Sequence, residues 1–210
     1  MLKMENLKQL GIIPVDYGLL GSLYSGYKSP RNKIANLEIQ GKLIRLKRGL
    51  YVVSPDESGK LLSTELIANH IYGPSYISME SALRYYGLIP ESVYMVRSMT
   101  IKRSRLFENS ISRFEYINCS EDYFPIGINQ IINDDYSFLI ASPEKALCDL
   151  IAYTSEVRPR FIKSLLAYLE EDIRLDMEAF YKMDTRIFGQ CAEVGKKRND
   201  LNNLIKILQR

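Results

Sequence analysis

The chain has few of the side chains that enzymes use for nucleophilic or metal chemistry, with three cysteines and one histidine among 210 residues. Cys119, Cys148 and Cys191 lie far apart and form no Cys-x-x-Cys pair, a pattern that favours free thiols in a reducing cytoplasm over a disulfide framework. The single histidine, His70, lies in an otherwise apolar helical segment, where a packing or capping role is more common than a catalytic one. We therefore expect a cytoplasmic protein whose function does not depend on histidine or cysteine chemistry.

Other signatures are also missing from the sequence. No stretch approaches the roughly 18 consecutive apolar residues of a membrane span, and the first 14 residues are too polar for a signal peptide. A nucleotidyltransferase would need Gly-Ser followed by an Asp-x-Asp pair that holds two divalent metals; Gly21-Ser22 is present, but no Asp-x-Asp occurs. Neither a glycine-rich phosphate loop nor a serine nucleophile elbow is found. We predict that the chain is not an enzyme and uses no cofactor or metal.

Positive charge is concentrated at one end of the chain. Residues 1–53 carry nine Lys and Arg against three acidic residues, whereas the remaining residues carry 19 basic and 22 acidic ones. Seven of the nine N-terminal cations fall between Lys28 and Arg48. A basic module joined to a mildly acidic body suggests a polyanion-binding head, although charge alone is equally compatible with a solvated surface.

Helix signals divide the basic module into three short helices. Apolar spacing predicts helices at residues 1–10 and 17–24; Asp16 can cap the second, and Leu19, Leu20 and Leu23 would form its apolar stripe. Ser29-Pro30 is a strong start for a third helix that runs to residue 40 and ends at Gly41.

The third helix has the composition of a helix that reads bases. Ile34 and Leu37 should face the core, while Asn32, Asn36 and Gln40 recur every four residues and share one face. Amide side chains can bond adenine edges, and arginine can read guanine, from a helix in the major groove. The alternative is a merely exposed polar face.

A basic hairpin should follow this helix. Residues 43–53, LIRLKRGLYVV, contain two β-prone runs around Lys47-Arg48-Gly49. Three helices followed by a hairpin describe a winged helix-turn-helix, in which the hairpin cations hold phosphates. The residues predicted to contact DNA are Lys28, Arg31, Asn32, Lys33, Asn36, Gln40, Arg45, Lys47 and Arg48.

The rest of the chain predicts a second domain of mixed character. Residues 54–59, SPDESG, read as a linker, so we assign residues 1–55 to the winged helix-turn-helix and 61–210 to an α+β domain. Helices are predicted near residues 61–72 and 78–86, with Ser142-Pro143 opening another and helical spacing running from Arg160 onward. β-Rich runs at residues 93–99, 113–118 and 136–140 indicate a small sheet.

Two further clusters stand out in the second domain. Lys102, Arg103 and Arg105 form a second basic group, which we interpret as an exposed β-turn rather than a second nucleic-acid contact. Four of the 15 tyrosines lie close together near one helical hairpin, where core packing is a simpler interpretation than base stacking. They are Tyr72, Tyr76, Tyr85 and Tyr86.

Four motifs in this order resemble the AbiEi family of antitoxins and predicted regulators of phage defence. They are residues 74–83 (PSYISMESAL), 86–91 (YGLIPE), 98–105 (SMTIKRSR) and 140–150 (IASPEKALCDL), and the likeness spans about residues 5 to 155. Family members often carry histidine where this chain has Tyr86, so a role for that histidine does not transfer.

The resemblance implies a specific function. It implies an N-terminal winged helix that binds double-stranded promoter DNA of its own operon and represses it. It also implies a C-terminal domain that counteracts a co-encoded nucleotidyltransferase toxin in the type IV manner, without a stable complex with that toxin. A solitary transcription regulator would have the same sequence features, and a nucleic-acid-processing enzyme with an unrecognised acidic site is a more distant alternative.

Overall fold

Residues 7–53 form a helical unit with a three-stranded sheet. The computed structural model describes residues 7–90, 95–155, 159 and 161–209. The elements of this unit are a 3-10 turn at Leu7–Leu10, β1 at Val15–Asp16, α1 at Tyr17–Leu23, α2 at Pro30–Ile39, β2 at Leu43–Lys47 and β3 at Leu50–Val53. The strands pair antiparallel in the order β1-β3-β2. Of the predicted first helix, residues 7–10 form the 3-10 turn, and residues 1–6 lie outside the described residues.

Local caps place α1 and α2 as the sequence predicts. The Asp16 carboxylate accepts a hydrogen bond from the Leu19 backbone N–H at 2.7 Å, which satisfies a free donor of the first turn of α1. The Ser29 hydroxyl oxygen accepts a hydrogen bond from the Asn32 backbone N–H at 3.5 Å, and Pro30 is the first residue of α2. Gly41 follows α2 with a φ of +71°, a conformation that glycine adopts without steric cost.

The predicted apolar stripe of α1 is only partly correct. Leu20 is fully buried, but Leu19 and Leu23 are 46% and 53% exposed. The helix has seven residues, and Leu20 is the one that is buried in the core beneath it. That N-terminal core consists of Leu7, Val15, Leu20, Ile34, Leu37, Leu43, Tyr51 and Val53.

The predicted linker contains a one-turn helix. Residues Pro55–Ser58 form α3, which Ser54 caps by accepting from the Glu57 N–H at 3.4 Å. Gly59 ends this turn in the left-handed conformation, with a φ of +72°. Proline at the first position and serine before it give even this short segment a helix start.

The second part of the chain is built on a six-stranded mixed sheet. Its strands are β4 at Ser75–Ile77, β5 at Met95–Thr100, β6 at Arg105–Glu108, β7 at Arg113–Asn118, β8 at Ile128–Ile132 and β9 at Ser137–Ala141. Their order is β6-β7-β5-β4-β9-β8, with parallel pairing in β5–β7 and β4–β9. The sheet is larger than predicted because β4, β6 and β8 carry no clear strand signal. Residues 93 and 94 of the predicted β-rich run 93–99 lie outside the described residues.

Helices complete the fold. They are α4 at Thr64–Ile71, α5 at Met79–Tyr85, α6 at Pro143–Tyr153, α7 at Ile162–Ala167, α8 at Met177–Phe180, α9 at Thr185–Val194 and α10 at Arg198–Leu208. The first three of these helices pack against the sheet, whereas α9 and α10 pack against α6. A π-helical turn at Tyr168–Asp172 continues α7. The prediction of a mixed α+β protein with a helical C-terminus is confirmed. Arg160, where the helical spacing was predicted to begin, lies outside the described residues.

β3 is buried on both faces and joins the two parts of the molecule. Tyr51 and Val53 contribute to the N-terminal core, whereas Leu50 and Val52 pack into the large core of the second part. This division follows from the two-residue period of a strand, which points successive side chains to opposite faces. Leu46 of β2 also packs into the large core. The hairpin is therefore a structural element of both parts.

Candidate nucleic-acid interface

The outer face of α2 is exposed and mostly polar, as the sequence predicts, and Ile39 is an exposed apolar side chain on the same face. Ile34 and Leu37 are buried beneath the helix, while the side chains on the opposite side face solvent. Within the residues that the structure describes, these outer side chains form no hydrogen bond or ion pair. They are Arg31, Asn32, Asn36 and Gln40. Their donors and acceptors are thus available to a ligand.

The remaining predicted cations near α2 differ in their surroundings. Lys28 is exposed, just before the helix. The Lys33 ammonium lies 5.2 Å from the centroid of the Tyr27 ring, a cation–π geometry. Arg45 of β2 donates to the Glu38 carboxylate at 2.6 Å, and this carboxylate raises the pKa of the guanidinium. Because exposed ion pairs contribute little, a phosphate could replace Glu38 as the partner of Arg45 at small cost.

The hairpin tip carries two cations in different environments. Gly49 has a φ of +77°, which closes the turn after Lys47 and Arg48. Arg48 is exposed. The Lys47 ammonium is half-buried and donates to the carbonyl oxygen of Ile71, the last residue of α4. Burial and the nearby Lys102 and Arg105 lower the pKa of Lys47. Of the nine predicted DNA-contacting residues, Lys47 is the one that the fold turns toward the second part of the chain.

The second basic group lies beside this hairpin tip. Lys102 and Arg105 bracket the turn from β5 to β6, and both are exposed, as is Arg103. The Lys102 ammonium and the Arg105 guanidinium lie 5.4 and 5.6 Å from the centroid of the Tyr72 ring. The sequence predicts the exposed turn, but it does not predict that the turn meets the hairpin, because more than fifty residues separate them.

The tyrosines near the first helices of the second part do not form one cluster. Tyr72 packs edge-on against Tyr116, and Tyr76 packs against Phe124 inside the core. Tyr85 and Tyr86 contact each other at 5.5 Å between ring centroids, with Tyr85 also against Phe138. The prediction of core packing is correct for the buried Tyr76 and for Tyr72 and Tyr86, which are half-buried against the same core. Tyr85 is exposed.

A buried ion pair, missed by sequence analysis, lies beneath α6. The Lys145 ammonium is 3.3 Å from the Asp149 carboxylate, and both side chains are fully buried. Lys145 also donates to the Tyr123 carbonyl oxygen at 3.0 Å, and its ammonium lies 3.1 Å from the centroid of the Tyr123 ring. The available signal was Lys and Asp four residues apart within the otherwise apolar helix that Ser142-Pro143 begins.

Two hydroxyl groups complete the environment of this ion pair. The Asp149 carboxylate accepts hydrogen bonds from the Ser78 hydroxyl at 2.5 Å and the Tyr76 hydroxyl at 3.1 Å. Burial raises the pKa of Asp149 against the opposing effects of Lys145 and these hydroxyl groups. Because none of these side chains reaches solvent, the arrangement links α6 to β4 and the start of α5 and offers no access to a substrate.

Among the described residues, no group of three or more His, Cys, Asp or Glu side chains is arranged to hold a metal ion. His70 is exposed, and its Nδ1 atom is 2.9 Å from the Leu66 carbonyl oxygen one turn earlier in α4. The helices in the described part of the chain are too short or too polar to cross a bilayer.

Comparison of the sequence with models of known families and with curated proteins gave no match.

Proposed function

We propose that this protein is a cytoplasmic transcriptional repressor that binds double-stranded DNA through a winged helix-turn-helix. The observation that carries the proposal is the outer face of α2, where Arg31, Asn32 and Asn36 are exposed without an intramolecular partner among the described residues. A polar face of this kind on a short helix, held from below by Ile34 and Leu37, suits insertion into the major groove.

The order and charge of the neighbouring elements support the same proposal. α1 precedes α2, and the β2–β3 hairpin follows it with Arg48 at an exposed tip. In a winged helix-turn-helix the second helix of the motif reads bases while the hairpin contacts the backbone. Lys28 at the start of α2 and Arg45 on β2 provide further positive charge on the flanks of the reading helix.

The decisive experiment is a binding titration of the full chain with DNA. Fluorescence anisotropy compares DNA from upstream of its gene with a scrambled duplex at several salt concentrations. We expect tighter binding to the upstream duplex and a linear fall of log K with log salt concentration. Replacement of Arg48 by Gln should weaken binding to both duplexes and reduce the salt slope by about one.

The matched control for this titration is Lys163→Gln, which removes one exposed cation of the second part of the chain. It should leave both affinities unchanged. Equal affinity of the unmodified protein for both duplexes, or binding that does not respond to salt, would contradict the proposal.

The antitoxin role is the second half of the proposal and depends on the resemblance to the AbiEi family. In this role, the second part of the chain would counteract a co-encoded nucleotidyltransferase toxin without forming a stable complex with that toxin. A full-length Arg31→Ala/Asn36→Ala variant should derepress the promoter yet still protect cells from the toxin when both proteins are expressed at fixed levels. The isolated residues 1–59 should give no protection.

A neighbouring nucleotidyltransferase gene is required for this second half. If that gene is missing, the protein is a solitary regulator. If residues 1–59 protect cells fully, the second part of the chain is not the part that counteracts the toxin. DNA binding by the full chain would stand in either case.

A further inference from the structure

Three cations from distant parts of the sequence gather at the C-terminal end of α4. Lys47 comes from the hairpin tip, Lys102 from the turn between β5 and β6, and Arg105 is the first residue of β6. The Lys47 ammonium donates to the Ile71 carbonyl oxygen and the Lys102 ammonium donates to the Gly73 carbonyl oxygen. Lys102 and Arg105 lie against the ring of Tyr72, which follows α4 directly.

The positive charge of this cluster is not balanced by the protein. Within the described residues, no carboxylate lies within ion-pair distance of any of the three cations. The carbonyl end of a helix carries only about half a negative charge, and a tyrosine face attracts cations weakly. More than two positive charges are therefore left without a counter-charge. Burial, and after it the neighbouring Lys102 and Arg105, lower the pKa of Lys47.

We propose that Lys47, Lys102 and Arg105 form a built anion site that takes one phosphate group of the DNA backbone. This inference depends on the proposed function for the source of the phosphate. The ammonium and guanidinium groups supply charge and N–H donors in the combination that binds phosphate oxygens. Lys102 and Arg105 are exposed, so a phosphate can reach them from solvent.

The position of the site gives it a second consequence. Arg48 is next to Lys47 and lies at the exposed hairpin tip, so a DNA backbone that contacts both Arg48 and the anion site would touch the hairpin and the second part of the chain. The Asn109 side-chain amide also donates to the Leu46 carbonyl oxygen at 3.1 Å, which holds the hairpin against the second part of the chain. The bound phosphate thus adds a contact shared by both parts, and the DNA footprint extends beyond α2 and the hairpin.

A pair of arginine variants in one turn tests the site. Arg105→Gln removes a member of the cluster, and Arg103→Gln removes an exposed cation of the same turn that does not contact Tyr72. In salt titrations of the full chain, Arg105→Gln should weaken binding to specific and scrambled duplexes by the same factor and lower the salt slope by about one. Arg103→Gln should leave the slope within error of the unmodified protein. Equal losses of DNA affinity in Arg105→Gln and Arg103→Gln would indicate that binding depends on the total charge of this region, and would overturn the proposed anion site.

A measurement without DNA separates this inference from the proposed function. Thermal unfolding is followed in inorganic pyrophosphate and in chloride at equal ionic strength. Pyrophosphate at about ten times its Kd should raise the Tm of the unmodified protein and of Arg103→Gln by about 3–6 °C, and should have less effect on Arg105→Gln. Stabilisation by pyrophosphate without any DNA binding would retain the anion site and contradict the proposed function. Equal Tm shifts for all three proteins, including no shift, would overturn the anion site even if DNA binds.

Discussion

Lys145 and Asp149 face each other across one turn of α6, with the ammonium 3.3 Å from the carboxylate and neither side chain exposed. The carboxylate also accepts from the Ser78 hydroxyl, which lies immediately before α5. The Ser78 side chain makes no N-terminal capping bond to α5, so its hydroxyl is used for the ion pair. The pair therefore positions the start of α5 against α6 in the core of the second part.

Removing one partner of this pair should be strongly destabilising. Lys145→Met leaves the Asp149 carboxylate buried without its counter-charge, and we expect a loss of about 3–5 kcal/mol in the free energy of unfolding. Urea denaturation followed by circular dichroism measures this loss.

The double variant Lys145→Met/Asp149→Leu should recover part of the lost stability, because an apolar pair leaves no buried charge, although the two hydroxyl groups lose an acceptor. The exposed Lys163→Met serves as control and should change stability by less than about 0.5 kcal/mol. If Lys145→Met were as stable as Lys163→Met, the result would contradict the structural role of the ion pair.

Base reading by α2 should appear as a loss that depends on DNA sequence. Asn36→Ala removes a bidentate amide from the outer face of the helix, and we expect it to cost about 1–3 kcal/mol on the specific duplex and little on a scrambled one. Anisotropy titrations on both duplexes provide the comparison. Asn133→Ala, an exposed position near the edge strand β8, is the control and should alter neither affinity. An equal loss on both duplexes would mean that α2 lies outside the major groove.

The hairpin should couple the stabilities of the two parts of the molecule. Leu46→Ala truncates a side chain of β2 that packs in the large core, and a loss of about 2–5 kcal/mol is expected for such a truncation. Unfolding should remain one transition, seen at the same urea concentration by near- and far-ultraviolet circular dichroism. Leu106→Ala, at a side chain 51% exposed on β6, should cost much less. Two separate transitions in the unmodified protein would show that the N-terminal unit folds independently of the large core.

The three cysteines should be inert in the folded protein. Cys119, Cys148 and Cys191 are buried, and burial raises the pKa of Cys119 to about 12, so its thiolate is scarce near neutral pH. A hydrogen bond from the Cys148 thiol lowers the pKa of Cys191, but that sulfur is also enclosed. Ellman's reagent at pH 8 should label the thiols only as fast as the protein unfolds, and urea should release three equivalents at once. Rapid labelling of one equivalent in the native protein would contradict this packing.

Elements with strong local signals could be predicted from the sequence alone. The starts of α1, α2 and α6 follow from Asp16, Ser29-Pro30 and Ser142-Pro143, because a capping side chain acts on backbone groups only three residues away. The exposed polar face of α2 likewise follows from the 3.6-residue period, with Ile34 and Leu37 determining which side is buried.

Elements that depend on distant partners could not be predicted in this way. β4 has only three residues, and its pairing with β5 and β9 places Tyr76 beside Met99 and Ile77 beside Ile140. The first of these contacts spans 23 residues and the second spans 63, so no local pattern encodes them. The same applies to the division of β3 between two cores, since its four buried side chains show no alternation of polar and apolar residues.

The sequence by itself thus determined the capped helices, the basic hairpin and the exposed amide face of α2, because each depends on interactions within one or two turns of chain. Only the tertiary structure decided that Lys47 turns away from the tip to join Lys102 and Arg105, and that Lys145 and Asp149 are buried under hydroxyl groups from β4 and the residue after it. The physical reason is that the burial of a side chain and its distance from other charged groups depend on how whole elements pack. Side chains far apart in sequence acquire their environment only when the core forms.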